Sequence, residues 1–202
     1  MTDLEKLLAR AESLLARVET LLPPALPATD WTAPAFRWRK SGGRGWLQAV
    51  RHPHTIRLDE LHDVDAQKEQ VERNTRQFVA GRGANNVLLT GARGTGKSSL
   101  VKALLNRYAP DGLRLIEVDK ADLTDLPDIV DLLQGRTERF IIFCDDLSFE
   151  ASEAGYKALK SVLDGSVAAV PDNVLLYATS NRRHLMPEYF EENRDKIGRA
   201  HV

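Results

Sequence analysis

Gly91, Gly94, Gly96, Lys97 and Ser98 are the residues whose types and spacing point most directly to chemistry. They lie in Val87-Leu88-Leu89-Thr90-Gly91-Ala92-Arg93-Gly94-Thr95-Gly96-Lys97-Ser98-Ser99, a short apolar run leading into G-x-x-x-x-G-K-S. The glycines let the backbone turn with positive φ and come close to a ligand. The amides of Gly94 to Ser98 then gather at the start of a helix, continued by Leu100-Val101-Lys102-Ala103-Leu104-Leu105, where the dipole favours anions. This arrangement fits the phosphates of a nucleoside triphosphate. The expected contacts are Gly91, Ala92, Arg93, Gly94, Thr95, Gly96, Lys97, Ser98 and Ser99. Lys97 reaches the β- and γ-phosphates, and the Ser98 hydroxyl sits on Mg²⁺. ATP and Mg²⁺ are therefore the expected ligands.

Two later apolar runs end in polar groups. Ile141-Ile142-Phe143-Cys144 runs into Asp145-Asp146, and Leu175-Leu176-Tyr177-Ala178 runs into Thr179-Ser180-Asn181-Arg182-Arg183. In an open α/β sheet, ligands sit at the carboxyl ends of the strands, so Asp145 should face the same crevice as Ser98. Mg²⁺ takes hard oxygen ligands and uses one or two carboxylates, which assigns Asp145 to the metal, directly or through water. Asp146 is then placed to orient or deprotonate an attacking water, with Glu150 as a second candidate base. Asn181 can donate its amide to the γ-phosphate or to that water. Taken alone, Ser-Asn at a strand end also suits an ordinary turn.

The order Gly91-x-x-x-x-Gly96-Lys97-Ser98, Asp145-Asp146, Ala178-Thr179-Ser180-Asn181-Arg182 resembles the AAA+ ATPases over residues 58–190. Their Walker A, Walker B and sensor-1 motifs correspond to those positions. Leu58-Asp59-Glu60-Leu61 with Val64-Asp65 resembles the AAA+ segment bordering the adenine, which implies Leu61 and Val64 as nucleotide contacts. The full string through Phe143-Cys144-Asp145-Asp146-Leu147-Ser148-Phe149-Glu150 resembles a bacterial family of unassigned function, domain of unknown function 815. The resemblance implies ATP hydrolysis coupled to assembly or remodelling of a protein partner, and homo-oligomeric rings or filaments in the full-length form. It departs at Asp146, where most AAA+ proteins carry Glu, and at Ala92-Arg93, where prolines are usual. A nucleotide-dependent loader acting on DNA or a DNA-bound protein is the second reading, and a small-molecule P-loop kinase the third.

These groups need a scaffold. Strands are expected at 86–90, 113–118, 140–144 and 173–178, alternating with helices at 97–108, from Pro127 to Gly135, and at 153–163. Alternating strands and helices imply a three-layer P-loop core around a parallel sheet, four of the five AAA+ strands. Apolar runs without alternation suggest strands covered on both faces. Asp65 is expected to cap a helix running to Phe78, closed by Gly81.

Ahead of this core, residues 2–22 read as an amphipathic helix opened by the capping box Thr2/Glu5 and stopped by Pro23-Pro24. Leu4, Leu8, Ala11, Leu15, Val18 and Leu22, widened by Leu7, Leu14 and Leu21, form its apolar stripe. Such a stripe serves a short coiled coil or docking on the body of the protein or on a partner, and its length favours docking. Residues 23–57 read as a linker, proline-rich early and glycine-rich late, with Arg37, Arg39, Lys40, Arg44, Arg51 and Arg57 among Trp31, Phe36, Trp38 and Trp46. Basic and aromatic residues interleaved suit single-stranded nucleic acid. The competing reading is an arm whose aromatics pin it to its own domain.

The 202 residues carry a net charge of -1 and 43% hydrophobic residues, enough for one domain with extensions. A single cysteine, Cys144, excludes an internal disulfide and suggests a reducing compartment. With no long apolar run and no leader-like start, the expectation is a cytoplasmic protein without a membrane partner. Ile197-Gly198-Arg199-Ala200-His201-Val202 is the translation of ATCGGAAGAGCACACGTC, a common sequencing-adapter read. Residues 58–202 are thus expected to be a C-terminally truncated AAA+ domain with a non-native tail at 197–202, lacking arginine finger and sensor 2.

Overall fold

The computed structural model describes residues 2–21, 25–148, 154–164 and 171–181. The chain opens with α1 (Asp3–Leu21), whose first turn closes as a capping box. The Thr2 amide donates to Glu5 Oε2 at 2.6 Å, and the Glu5 amide to Thr2 Oγ1 at 3.4 Å. Every residue from 2 to 17 is exposed, so this helix does not dock on the described body of its own chain, and docking on a partner stays an expectation.

The segment read as a linker is the first correction. Residues 35–49 form an antiparallel hairpin, β1 (Ala35–Ser41) and β2 (Arg44–Ala49), turning on Gly42-Gly43 at φ 56° and 77°. Positive φ at both central residues is the requirement of a two-residue hairpin turn, which glycine meets without strain. Phe36 and Trp38 alternate with Arg37 and Arg39, so one face is apolar. Both aromatics are buried, at 1% and 3% exposure. The Trp38 ring lies so close to Gly45 that a Cβ there would fall 1.8 Å from Cζ2.

The helix α2 (Asp65–Val79) follows, then β3 (Val87–Thr90), α3 (Lys97–Tyr108), β4 (Leu113–Glu117), α4 (Leu126–Leu133), β5 (Arg139–Cys144), α5 (Ala154–Asp164) and β6 (Val174–Ser180). The sheet order is β2-β1-β4-β5-β6-β3, parallel throughout except for β2. The four expected strands are present, and β1-β2 extends the sheet past β4. Asp65 does not cap α2. It lies one residue inside the helix and pairs with Lys68 at 2.8 Å, while Val64 holds the cap position without a side-chain bond.

The sheet separates two cores. Phe140, Ile142 and Cys144 face one with Leu126, Ile129 and Leu133 of α4; Ile141 and Phe143 face the other with Leu100, Leu104 and Phe78. Burial of Cys144 pushes its thiol up to about 12, so it stays a protonated core residue. At the described edge, β3 is covered less fully, with Leu88 43% exposed.

The hairpin is tied to the body by charge as well as by packing. Trp38 Nε1 donates to Asp125 Oδ2 at 3.0 Å, and Lys40 Nζ to Oδ1 at 2.7 Å. Burial raises the Asp125 pKa, but the Lys40 and Trp38 donors outweigh it and hold the carboxyl below its usual range. Arg37 grips Glu117 Oε2 through Nε and Nη2, at 3.0 and 2.7 Å. The Arg136 guanidinium lies 3.7 Å over the Trp31 ring, a cation–π contact. The reading in which the aromatics pin this arm to its own domain thus holds for Phe36 and Trp38, while Arg37 and Lys40 are engaged in ion pairs.

Candidate functional site

The first turn of α3 starts directly from the glycine loop. Gly94 and Gly96 hold φ of 83° and 81°, conformations that an L side chain rarely adopts. Gly96 is the helix cap, and no side chain bonds the first-turn amides. Those amides have no intrahelical partners and stand at the positive end of the dipole. The Gly91 amide bonds the Ser180 carbonyl at 3.2 Å, which ties the start of the loop to the end of β6.

Between this loop and the carboxyl ends of β5 and β6 lies a cavity of about 280 Å³, bordered by residues 93–99, Asp145, Asp146, Thr179 and Asn181. Ser98 Oγ donates to Asp145 Oδ1 at 2.6 Å, so the expected metal pair is in contact. Lys97 Nζ donates to the carbonyls of Gly91 and Ala92, each at 2.7 Å, and to Asn181 Oδ1 at 3.1 Å. The Asn181 amide in turn donates to Asp146 Oδ1. Lys97, Asn181 and Asp146 therefore form one chain across the crevice. Asp146 has φ 53°, a left-handed conformation that Asp and Asn tolerate better than most residues.

The sequence reading gave no role to Thr179, which the structure places at the centre of the site. It is 1% exposed, donates to Asp145 Oδ1 and accepts the Asp146 amide at 2.8 Å. One hydroxyl thus fixes both carboxylate residues. The Leu147 amide bonds the Thr179 carbonyl at 2.7 Å, and Ser180 Oγ the Leu147 carbonyl at 2.6 Å. The turn after β5 is stapled to β6 on both sides. The available signal was a polar residue ending an otherwise apolar strand.

Gly91 and Ala92 meet the site through their carbonyls on Lys97. Leu61 and Val64 are not brought to this cavity. Leu61, at 7% exposure, is part of the core with Phe78 and Leu100, and Val64 packs against that cluster. Glu150 and the 182–202 segment, including the expected non-native tail, lie outside the described residues. Among the described residues, no three His, Cys, Asp or Glu side chains gather to hold a metal. Ser98 and Asp145 are instead a two-oxygen donor set of the kind that leaves Mg²⁺ its waters and phosphate ligands.

A parallel sheet, a glycine loop opening a helix, and a hydroxyl–carboxylate pair across the strand ends define a P-loop α/β domain, resembling AAA+ ATPases in motif order. The chain belongs to the family described as protein of unknown function DUF815, whose profile matches residues 31–202. No protein with a curated description matches it. Among solved structures it is similar to a DNA replication initiation factor, at 15% identity and TM-score 0.47, over 71% of this chain and 47% of that one. It is similar to DnaI at 18% identity and TM-score 0.47, over 76% and 79% of the two chains. AMPPCP-bound DnaA from Aquifex aeolicus gives 14% identity and TM-score 0.47, over 70% and 48%. The chain spans about half the length of the first of these. No helix among the described residues is long and apolar enough to cross a membrane.

Proposed function

We propose that this chain is the ATP-binding core of an AAA+ ATPase, which couples nucleotide binding and hydrolysis to assembly or remodelling of a protein partner. The observation that carries this reading is the chain Lys97–Asn181–Asp146 beside the Ser98–Asp145 contact. It supports the reading because a lysine, a hydroxyl–carboxylate pair and a second carboxylate border one cavity, the groups that phosphates, a metal and an attacking water would need. Mg²⁺ bound at Ser98 and Asp145 would neutralise phosphate charge. Asp146 holds the proton-accepting position and Asn181 orients it. The adenine contacts assigned to Leu61 and Val64 remain part of this proposal, as does a cytoplasmic setting.

Asp146→Asn tests the reading. Asn keeps the left-handed backbone and still offers a carbonyl oxygen to Asn181, so the cavity should survive. ATP affinity is expected to stay within about threefold while single-turnover hydrolysis falls about 10²-fold or more. Equal turnover by parent and variant would remove Asp146 from the chemistry. ATP binding without turnover in the parent would favour the loader reading.

Thr179 is a positioning residue with its own signature. Thr179→Val keeps the volume and leaves the Asp146 amide unpaired. The Mg²⁺ concentration supporting half-maximal turnover should rise about 10- to 100-fold, with Thr179→Ser restoring it. An unchanged Mg²⁺ requirement would reduce Thr179 to a structural bond.

A further inference from the structure

Among the described residues, nothing covers the apolar stripe of α1 from Leu4 to Leu15. Leu4, Leu7, Leu8, Leu14 and Leu15 are 53–69% exposed. At about 100° per residue, these five fall within about 60° of Ala11 around the helix. A stripe of this width left bare on one helix marks an interaction surface. Its two borders differ in sign. Glu5 and Glu12 lie about 100–120° to one side of Ala11, and Arg10 and Arg17 as far to the other. Lys6 adds to the basic border, and Asp3, on the same side, is paired with it at 3.6 Å.

We propose that α1 pairs with the α1 of a second copy of this chain, the two helices parallel. In a parallel pair each helix sets its left border against the right border of its partner, so glutamates meet arginines on both sides. In an antiparallel pair, like borders meet: glutamate faces glutamate and arginine faces arginine. Leu4, Leu7, Leu8, Leu14 and Leu15 supply the apolar seam, and the small side chain at Ala11 allows close approach at its middle. The helix spans 19 residues, about 28 Å of contact. The pairing does not depend on nucleotide binding.

Sedimentation equilibrium of the full chain tests the proposal. The parent should associate in multiples of two, and Leu8→Asp with Leu15→Asp should sediment as monomer. Both positions are exposed, so the fold does not rest on them. Glu12→Arg, which leaves the capping box of Thr2 and Glu5 intact, should weaken association severalfold, and adding Arg17→Glu should restore it. Leu4→Cys treated with diamide should give a covalent dimer, which the parent, with only the buried Cys144, should not. A monomeric parent at every concentration, or the parent's mass in the Leu8→Asp, Leu15→Asp variant, would overturn the pairing. Unlinked Leu4→Cys chains in an associating sample would overturn the parallel arrangement.

Discussion

Lys97→Ala is expected to raise the dissociation constant for ATP at least about 10²-fold, a loss of about 3 kcal/mol. The argument rests on what the ammonium does without nucleotide. All three Nζ donors are used, on the carbonyls of Gly91 and Ala92 and on Asn181. These partners are neutral, and each can be exchanged for a phosphate oxygen carrying formal charge. Hydrogen bonds between ions are stronger than those to neutral carbonyls, so the exchange favours the bound state. Alanine removes that gain and leaves the loop amides and the dipole of α3 as the remaining attraction. Lys97→Arg is not a rescue, because a planar fork cannot keep the compact geometry of an ammonium folded against its own loop. Calorimetric titration with ATP and Mg²⁺, beside circular dichroism to verify the fold, measures the effect. An affinity within threefold of the parent would mean that the cavity is not the phosphate site.

The site was legible because its chemistry is local. G-x-x-x-x-G-K-S carries its own backbone geometry, and Asp145 and Asn181 could be placed because apolar runs ending in polar groups mark the carboxyl ends of strands. Thr179 was not legible, since its role depends on the register of β6 against β5, where Cys144 lies opposite Ala178. That register sets Thr179 beside Asp145. Leu61 and Val64 show the converse. Their assignment rests on a resemblance alone: the structure sets Leu61 in the core beside Phe78 and Leu100 with Val64 packed against it, and their contact with a nucleotide stays a proposal. The hairpin was misread for a different reason. Gly42-Gly43 between alternating residues is a hairpin signal, yet the surrounding prolines and arginines gave the segment the composition of a linker. The aromatic residues that suggested base stacking are there to fill a core.

Trp38→Ala is accordingly expected to destabilise the chain by about 3–5 kcal/mol, the range for emptying a buried aromatic site. Its ring reaches across the hairpin onto Gly45, whose missing side chain makes the space, and it packs with Phe36, Leu47 and Ile129 in one core. The register of β1 against β4 from Ala35 to Arg37 limits how far the strand can move to close the gap. The substitution also strips Asp125 of the indole donor, leaving a carboxylate whose side chain is 12% exposed to depend chiefly on Lys40. Trp38→Phe separates the two contributions, since it restores most of the volume but not the donor. It should cost about 1.5–3 kcal/mol, the worth of a hydrogen bond to a charged group. Urea unfolding followed by far-UV circular dichroism reads both, as a lower midpoint at unchanged m-value. If Trp38→Ala unfolds at the parent's midpoint, residues 35–49 contribute nothing to the core and the hairpin is an appendage. The ordering Ala below Phe below parent would make the hairpin part of the same cooperative unit that holds the glycine loop in place.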